Sequence, residues 1–404
     1  MINEGNVELL APAGNGSKLK TALYFGADAV YVGGKSFSLR SFADNFTEEE
    51  LAKATDFAHA LGKKVYVTAN IFAKNADFPK MKEYFQTLAE IKVDGVIVSD
   101  PGVVYAVKKV APNLEIHIST QANTTNAYAV KFWQEQGASR VILARELSLK
   151  EIAEIRDFVP EIELEAFVHG AMCISYSGRC LLSDYLDGRA SNRGACVQAC
   201  RWKYEIRPQN PAGEKGEWLS IEEDEKGTYL LNSKDLNMMA HLSELRKAGV
   251  NSFKIEGRMK SEYYLATVIN AYRRAIDGGY TPQTEQELHN VAHRDYTTAY
   301  AFGKNDQTVN YTDSQQKGDF VYIANVLESE NGFVQVEMRN RFKKGDRLEV
   351  LSPSENFSKT FVAEKIYNEK GEEVEDAKLV QAKYKIECPY SLQKGDFLRK
   401  KTNG

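Results

Sequence analysis

Cys173, Cys180, Cys196 and Cys200 fall within one 28-residue stretch, spaced as C-x6-C, then fifteen residues, then C-x3-C, and the only other cysteine is Cys388. Four thiolates gathered by loops can close a tetrahedral zinc site or hold an iron–sulfur cluster, because both centres need soft anionic sulfur. Spacing does not choose between the two. The six-residue gap suits zinc knuckles poorly, and the pattern is not that of bacterial ferredoxins. Four unrelated buried thiols are the plain alternative, and Cys388, on an alternating strand, reads as core. Gly170, Gly178 and Gly194 allow tight turns around a bulky centre. Arg179, Arg189, Arg193 and Arg201 are interleaved with the thiols. They would offset the charge of a thiolate-bound cluster or hold an anionic substrate, and surface ion pairing is the duller use for each.

The elements that must position this stretch repeat as strand and helix. Short apolar runs at Val7–Pro12, Ala29–Gly33, Lys64–Ala69, Gly95–Ser99, Glu115–Ser119, Arg140–Ala144, Ile162–Val168 and Ser252–Glu256 alternate with segments of helical period. Thr47–Leu61 is such a segment, with Thr47 as N-cap and Glu50 as capping-box partner, and Phe78–Ile91 is another. Eight repeats point to a TIM-like (β/α)8 barrel over residues 1–300, with an open doubly wound sheet as the alternative. A long insertion, about residues 170–235, follows the seventh strand and carries all four clustered cysteines; its Pro208–Gly227 stretch reads as a solvated hairpin or flap. A helical pattern at Asn237–Ala248 resumes the barrel, and Thr284–Ala292 reads as a short helix. From 301 to 404 strand patterns follow one another, at Phe320–Ala324, Phe333–Met338, Arg347–Leu351, Phe361–Ile366, Tyr384–Cys388 and Phe397–Arg399, as in a small all-β barrel. Its basic run of Arg339, Arg341, Lys343, Lys344 and Arg347 suits phosphate contact or, more ordinarily, a solvated charged edge.

Chemistry on such a barrel belongs at the C-terminal ends of the strands. Those ends carry Gly14 with Asn15, Gly34, Asn70, Asp100, Gln121, Arg145 with Glu146, His169, and Glu256 with Arg258. Asn15 and Asp100 taken singly read as helix caps, whereas the set reads as a lined mouth. His169 precedes Cys173 by four residues, the raw material of a Cys–His dyad. No H-E-x-x-H and no G-x-S-x-G occurs. Gly14-Asn15-Gly16 begins a dinucleotide fingerprint, but Leu19 stands where the third glycine belongs, and no P-loop occurs, so NAD and ATP are not expected.

The 404 residues are 43% hydrophobic and 27% charged, with a formal charge of -4. That is ordinary globular material, and the balance excludes a general polycation while leaving room for a local nucleic-acid patch. The polar Met1–Val7 does not read as a secretory signal and no apolar run reaches a membrane span. A cytoplasmic chain with reduced thiols and no membrane partner is the expectation.

The stretch Glu165–Ser183, EAFVHGAMCISYSGRCLLS, resembles the signature of the collagenase-like peptidase family U-32, and Leu9–Gly14 (LLAPAG) and Lys254–Arg258 (KIEGR) fit the same family's pattern. The likeness spans nearly the whole chain and, with a β-domain after the barrel, is greatest to the tRNA hydroxylation branch. It implies two kinds of activity. The family name implies a protease. Other members are oxygen-independent RNA hydroxylases that carry a [4Fe-4S] cluster on four cysteines, form 5-hydroxyuridine at the tRNA wobble position and take prephenate as the implied hydroxyl donor. By position the resemblance makes Cys173, Cys180, Cys196 and Cys200 the cluster ligands, with structural zinc in a non-catalytic RNA-binding protein as a third reading. Prephenate carries two carboxylates, which suit paired arginines. Arg145, Arg258 and Arg40 are the candidates, with Asn70, Gln121 and Arg179 as further substrate-binding residues. His169, Arg145, Glu146 and Glu256 are the catalytic candidates, structural ion pairing being the alternative for the charged ones. tRNA is the expected partner, and a partner subunit remains open.

Overall fold

The computed structural model describes residues 7–38, 44–173, 175, 234–303 and 318–402. Arg40, Arg179, Cys180, Cys196, Cys200 and the Pro208–Gly227 stretch lie outside the described residues. The chain divides into two compact units, one of Met1–Leu19, Asp28–Met259 and Arg294–Gln316, the other of Lys20–Ala27, Lys260–His293 and Lys317–Gly404.

In the first unit the strands β1 (Glu8–Ala13), β2 (Ala29–Gly33), β3 (Lys64–Thr68), β4 (Gly95–Val98), β5 (Glu115–Ile118), β6 (Arg140–Ile142) and β7 (Glu163–Ala171) pair in parallel, each with the next. After β8 (Asp235–Asn237), β9 (Ser252–Ile255) pairs in parallel with both β7 and β1, and the ring closes. The eight ring strands are those expected from the apolar runs, so the closed barrel replaces the open-sheet alternative. β2 is buried at every position, the mark of a parallel strand covered on both faces. Between the strands lie α1 (Gly16–Tyr24), α2 (Glu48–Ala60), α3 (Phe78–Ile91), α4 (Pro101–Val110), α5 (Ala127–Glu135), α6 (Leu149–Phe158) and α7 (Leu242–Lys247). Thr47 and Glu50 form the expected capping box at the start of α2. One expectation fails in part. Asn237 ends a strand, and the helix expected from Asn237 is confined to Leu242–Lys247, because β8 is drawn into pairing with the end of β7.

Alternate strand residues point inward. Leu10, Ala29, Tyr31, Tyr66, Ile97 and Ile142 pack with Phe167 as an apolar layer across the barrel. A short strand β10 (Tyr296–Thr297) runs parallel to β8.

The second unit contains α8 (Glu262–Gly278), α9 (Pro282–His289) and the strands β11 (Phe320–Glu330), β12 (Phe333–Met338), β13 (Phe342–Lys343), β14 (Arg347–Leu351), β15 (Thr360–Val362), β16 (Ile366–Tyr367), β17 (Asp376–Ala377), β18 (Lys383–Glu387) and β19 (Phe397–Lys401). Seven strands form an antiparallel sheet in the order β15-β14-β19-β11-β12-β18-β16, and β13 pairs with β17. The single strand expected over Phe361–Ile366 is two strands on different partners, β14 and β18. Cys388 lies in this unit's core, where burial pushes its thiol pKa up. In the basic run, Arg339 pairs with Glu337, Arg341 with Asp376, and Lys344 with Glu373 and Glu375. These pairings make it a charged edge.

Candidate active site

The cysteine-bearing insertion leaves and rejoins the barrel at one place. The end of β7, His169–Ala171, pairs antiparallel with Asp235–Asn237 of β8, so both ends of the insertion are tied in one ladder beyond the ring. Asp235 and Arg294 are both buried; the Asp235 carboxylate accepts from the Arg294 guanidinium at 3.3 Å and from its backbone N–H at 3.2 Å. Such a pair, once buried, is costly to break by removing either partner. Gly170 sits in the left-handed region with φ 106°, and a Cβ there would come within 2.6 Å of the Glu256 carbonyl, so the approach of β7 to the end of β9 requires glycine. Two residues past β7, Cys173 is exposed. His169 is 1% exposed, with its ring 5.6 Å from that of Tyr296.

Two arginines are anchored at the strand ends. The Arg145 guanidinium lies 3.9 Å from the centre of the Phe167 ring and donates to the Ala171 carbonyl at 2.9 Å, two residues before Cys173. Arg258 is 4% exposed and donates from Nη1 to Ser38 Oγ at 2.9 Å and Thr68 Oγ1 at 3.0 Å. Gly33 makes room for it: a Cβ there would stand 2.4 Å from the same nitrogen. The Asn70 side chain and the Gln121 backbone meet at one serine. Asn70 Nδ2 donates to Ser119 Oγ at 3.4 Å, and the Gln121 N–H donates to the same oxygen at 3.3 Å. Ser99 Oγ donates to the Asn70 carbonyl at 3.3 Å.

The described site residues therefore fall into two groups, Arg145 with the Cys173 strand, and Arg258, Asn70 and Gln121 on the ends of β3, β5 and β9. Glu146 and Glu256 are half-buried just past β6 and β9. Asp100 and Asn15 are the helix caps they resembled: Asp100 Oδ1 accepts from the Val103 N–H, and Asn15 Oδ1 from the Lys18 N–H. Sequence reasoning missed Ser38, Thr68 and Ser119, whose hydroxyls orient the site, because small hydroxyl residues carry no spacing signal.

It also missed the floor. Beneath the Tyr31 and Phe167 rings, Lys254 Nζ meets Glu165 Oε1 at 2.7 Å, and Arg140 Nη1 meets Glu165 Oε2 at 3.1 Å and Glu8 Oε1 at 2.5 Å. Glu163 closes on Arg140 at 2.7 Å, and Tyr66 and Ser252 each donate to Glu8 at 2.8 Å. Burial works to raise the Glu8 carboxyl pKa, but the Arg140 guanidinium and the hydrogen bonds from Arg140, Tyr66 and Ser252 outweigh it and hold the pKa below the ordinary range. Burial pushes the Lys254 ammonium down, opposed by Glu165, and pushes the His117 imidazole down, opposed by its bond to Glu115. The available signal was a charge inside an apolar strand, as in Glu165 and Lys254, which folding tolerates only when paired.

Among the described residues no three His, Cys, Asp or Glu side chains gather into a metal-binding group, and Cys173 is the one member of the cysteine cluster described. The sequence matches peptidase family U32 over residues 14–311 and the C-terminal domain of that family over residues 319–399. The chain belongs to peptidase family U32. Its U32 relatives include tRNA hydroxylation protein P1 of Bacillus subtilis (strain 168), 42% identical over 97% of this chain and 94% of that one. tRNA hydroxylation protein P of Escherichia coli (strain K12) is 40% identical over 90% of each chain. A 23S rRNA 5-hydroxycytidine synthase of the same organism is 36% identical over 68% of this chain and 40% of its own length. The barrel followed by an antiparallel β domain is thus the U32 arrangement in this chain, and no described helix is long and apolar enough to cross a membrane.

Proposed function

We propose that this U32 protein is a tRNA hydroxylase that forms 5-hydroxyuridine at the wobble position in the barrel mouth, with prephenate as hydroxyl donor and a [4Fe-4S] cluster on Cys173, Cys180, Cys196 and Cys200. The observation that carries the reading is likeness at 40–42% identity, over nine-tenths or more of each chain, to proteins named for tRNA hydroxylation. The geometry supports it. Cys173 offers a soft sulfur outside the core, at the rim where a barrel places its chemistry, and Arg145 holds the backbone leading to it. A cluster there supplies electron transfer or a Lewis-acidic iron.

The chain's own residues do the remaining work. A uracil must leave its stack to be modified, which costs least in a single-stranded anticodon loop. Asn70 and Gln121 present amides suited to the edge of an extruded base. Arg258 and Arg145 suit the two carboxylates of the donor, since a guanidinium held by neighbours loses little entropy on binding an anion. Glu146, Glu256 and His169 are the groups at the rim able to accept or return a proton.

Two experiments test this. Expression in a strain lacking its own tRNA hydroxylation genes should restore 5-hydroxyuridine in nucleoside mass spectra of bulk tRNA, and spectra without it would overturn the reading. Anaerobically purified protein should be brown, with about four irons per chain, and Cys173→Ser should lose iron while its unfolding curve stays near wild type. A colourless, zinc-loaded protein would overturn the cluster. The family name, and a relative in Methanocaldococcus jannaschii named as an uncharacterised protease, 42% identical over 73% of this chain, favour peptidase activity as the second reading. Gelatin cleavage lost in Cys173→Ser, with tRNA unchanged, would support that instead.

A further inference from the structure

The second unit carries a cleft of about 660 Å³ on the outer face of its sheet, lined in part by Phe333, Gln335, Tyr367, Asn368, Lys383 and Lys385. The alternation that buries Val334, Val336 and Ile386 turns Phe333, Gln335 and Lys385 outward. Register then brings them together: Gln335 lies opposite Lys385, and Tyr367 of β16 lies opposite Lys385 from the other side. The Phe333 and Tyr367 rings meet edge to face at 6.0 Å, and Lys385 Nζ sits 4.9 Å from the centre of the Phe333 ring. The floor of the cleft therefore offers two aromatic faces, two ammonium groups and the Gln335 amide, while the Asn368 amide is held by the Lys370 and Glu372 N–H groups and the Glu372 carboxylate. One carboxylate, Glu369, also lines it and accepts the Lys383 backbone N–H at 3.0 Å.

We infer that this cleft binds one or two unpaired nucleotides of an RNA strand, with bases on Phe333 and Tyr367 and phosphates on Lys383 and Lys385. The volume lies in the range of small-ligand sites. The pairing of flat rings with flanking cations on an open sheet face is the chemistry by which single strands are held, because every base has a π-face and every linkage a negative charge. The Gln335 amide adds hydrogen bonds to a base edge. The inference rests on the tRNA reading for the identity of the RNA, but the cleft belongs to the C-terminal unit alone.

The test uses the full chain and a fluorescent single-stranded hexaribonucleotide, with a whole tRNA transcript in parallel. Wild type should bind the oligonucleotide with an affinity that falls as salt rises. Tyr367→Ala and Lys385→Glu should each weaken it about 5- to 100-fold, the worth of one stacked base, while Tyr367→Phe and Lys385→Arg keep it. Of the two positions changed, Lys385 is exposed and Tyr367 half-buried, and circular dichroism melts check that each of the four variants folds. Unchanged affinity in folded Tyr367→Ala and Lys385→Glu, or no binding by wild type, overturns the inference. The two readings fail separately. Restored 5-hydroxyuridine with unaltered oligonucleotide binding in the variants removes the cleft alone, and RNA binding lost in the variants of a chain that hydroxylates no tRNA removes the enzymatic reading alone.

Discussion

At the floor of the barrel charge meets charge: Arg140 and Lys254 lie within 2.5–3.1 Å of Glu8, Glu163 and Glu165. At the rim, Arg258 is oriented by the hydroxyls of Ser38 and Thr68, and Arg145 by a carbonyl and the face of Phe167. An ion pair in a dry interior repays desolvation only if both partners stay, so the floor is a lock. Hydrogen bonds to neutral oxygens set the direction of a guanidinium, so these rim contacts aim the two arginines. The layer of Tyr31, Phe167 and their apolar neighbours keeps the two systems apart. One fold thus places the same residue types in ion pairs at one end and among hydroxyls, a carbonyl and a ring at the other, in keeping with stability at the bottom of such barrels and chemistry at the top.

The sharpest way to break this contrast is Arg140→Met. It leaves Glu8 and Glu165 facing each other without their shared cation, and it should cost about 3–5 kcal/mol in urea unfolding. A loss below about 1 kcal/mol, the worth of a surface pair, would show that the floor is not a lock. At the rim, Arg145→Lys keeps the charge but loses the planar fork and the stacking. Hydroxyuridine formation should drop about 10- to 100-fold, the effect of misplacing a bound reactant, with the unfolding midpoint nearly unmoved. Equal losses of stability in the two variants would erase the distinction.

Acid probes the floor more gently. Because the Glu8 pKa is held below its ordinary 4.5, its contribution is complete above that pH and is lost as pH falls through the folded-state value. Melting temperature should therefore fall on acidification below about pH 4.5, and Glu8→Gln should flatten that slope while lowering the plateau. An identical slope in Glu8→Gln would remove Glu8 from the network. The smallest effect belongs to a residue at neither end. Thr47→Ala, which deletes the N-cap of α2, should cost about 1 kcal/mol and leave tRNA modification as it was.

Much of the architecture was legible in the chain. Apolar runs of five to seven residues between helical periods located all eight ring strands, since a strand buried on both faces leaves no other pattern. Thr47 and Glu50 announced the start of α2, because capping is settled within four residues. The candidate site was legible as residue types at strand ends, and Arg145, Asn70, Gln121 and Arg258 do stand there. Legibility stopped where a partner distant in sequence decides the outcome. Asn237 reads as helical locally, yet β7 claims it for a ladder. Arg341 and Lys344 read as a phosphate-binding patch or, more ordinarily, a charged edge, and the choice is made only when folding of the β domain brings Asp376, Glu373 and Glu375 beside them.

By itself the amino-acid order determined the strand and helix periods, the caps and the kinds of chemical group at each strand end, because these depend on backbone geometry over a few residues. Tertiary structure alone decided which polar groups meet. Arg140 finds Glu8 across 132 positions, and Arg258 finds Ser38 across 220. Closing the ring sets those distances, and in a buried site a shift of a few ångströms separates a paired charge from a ruinous one.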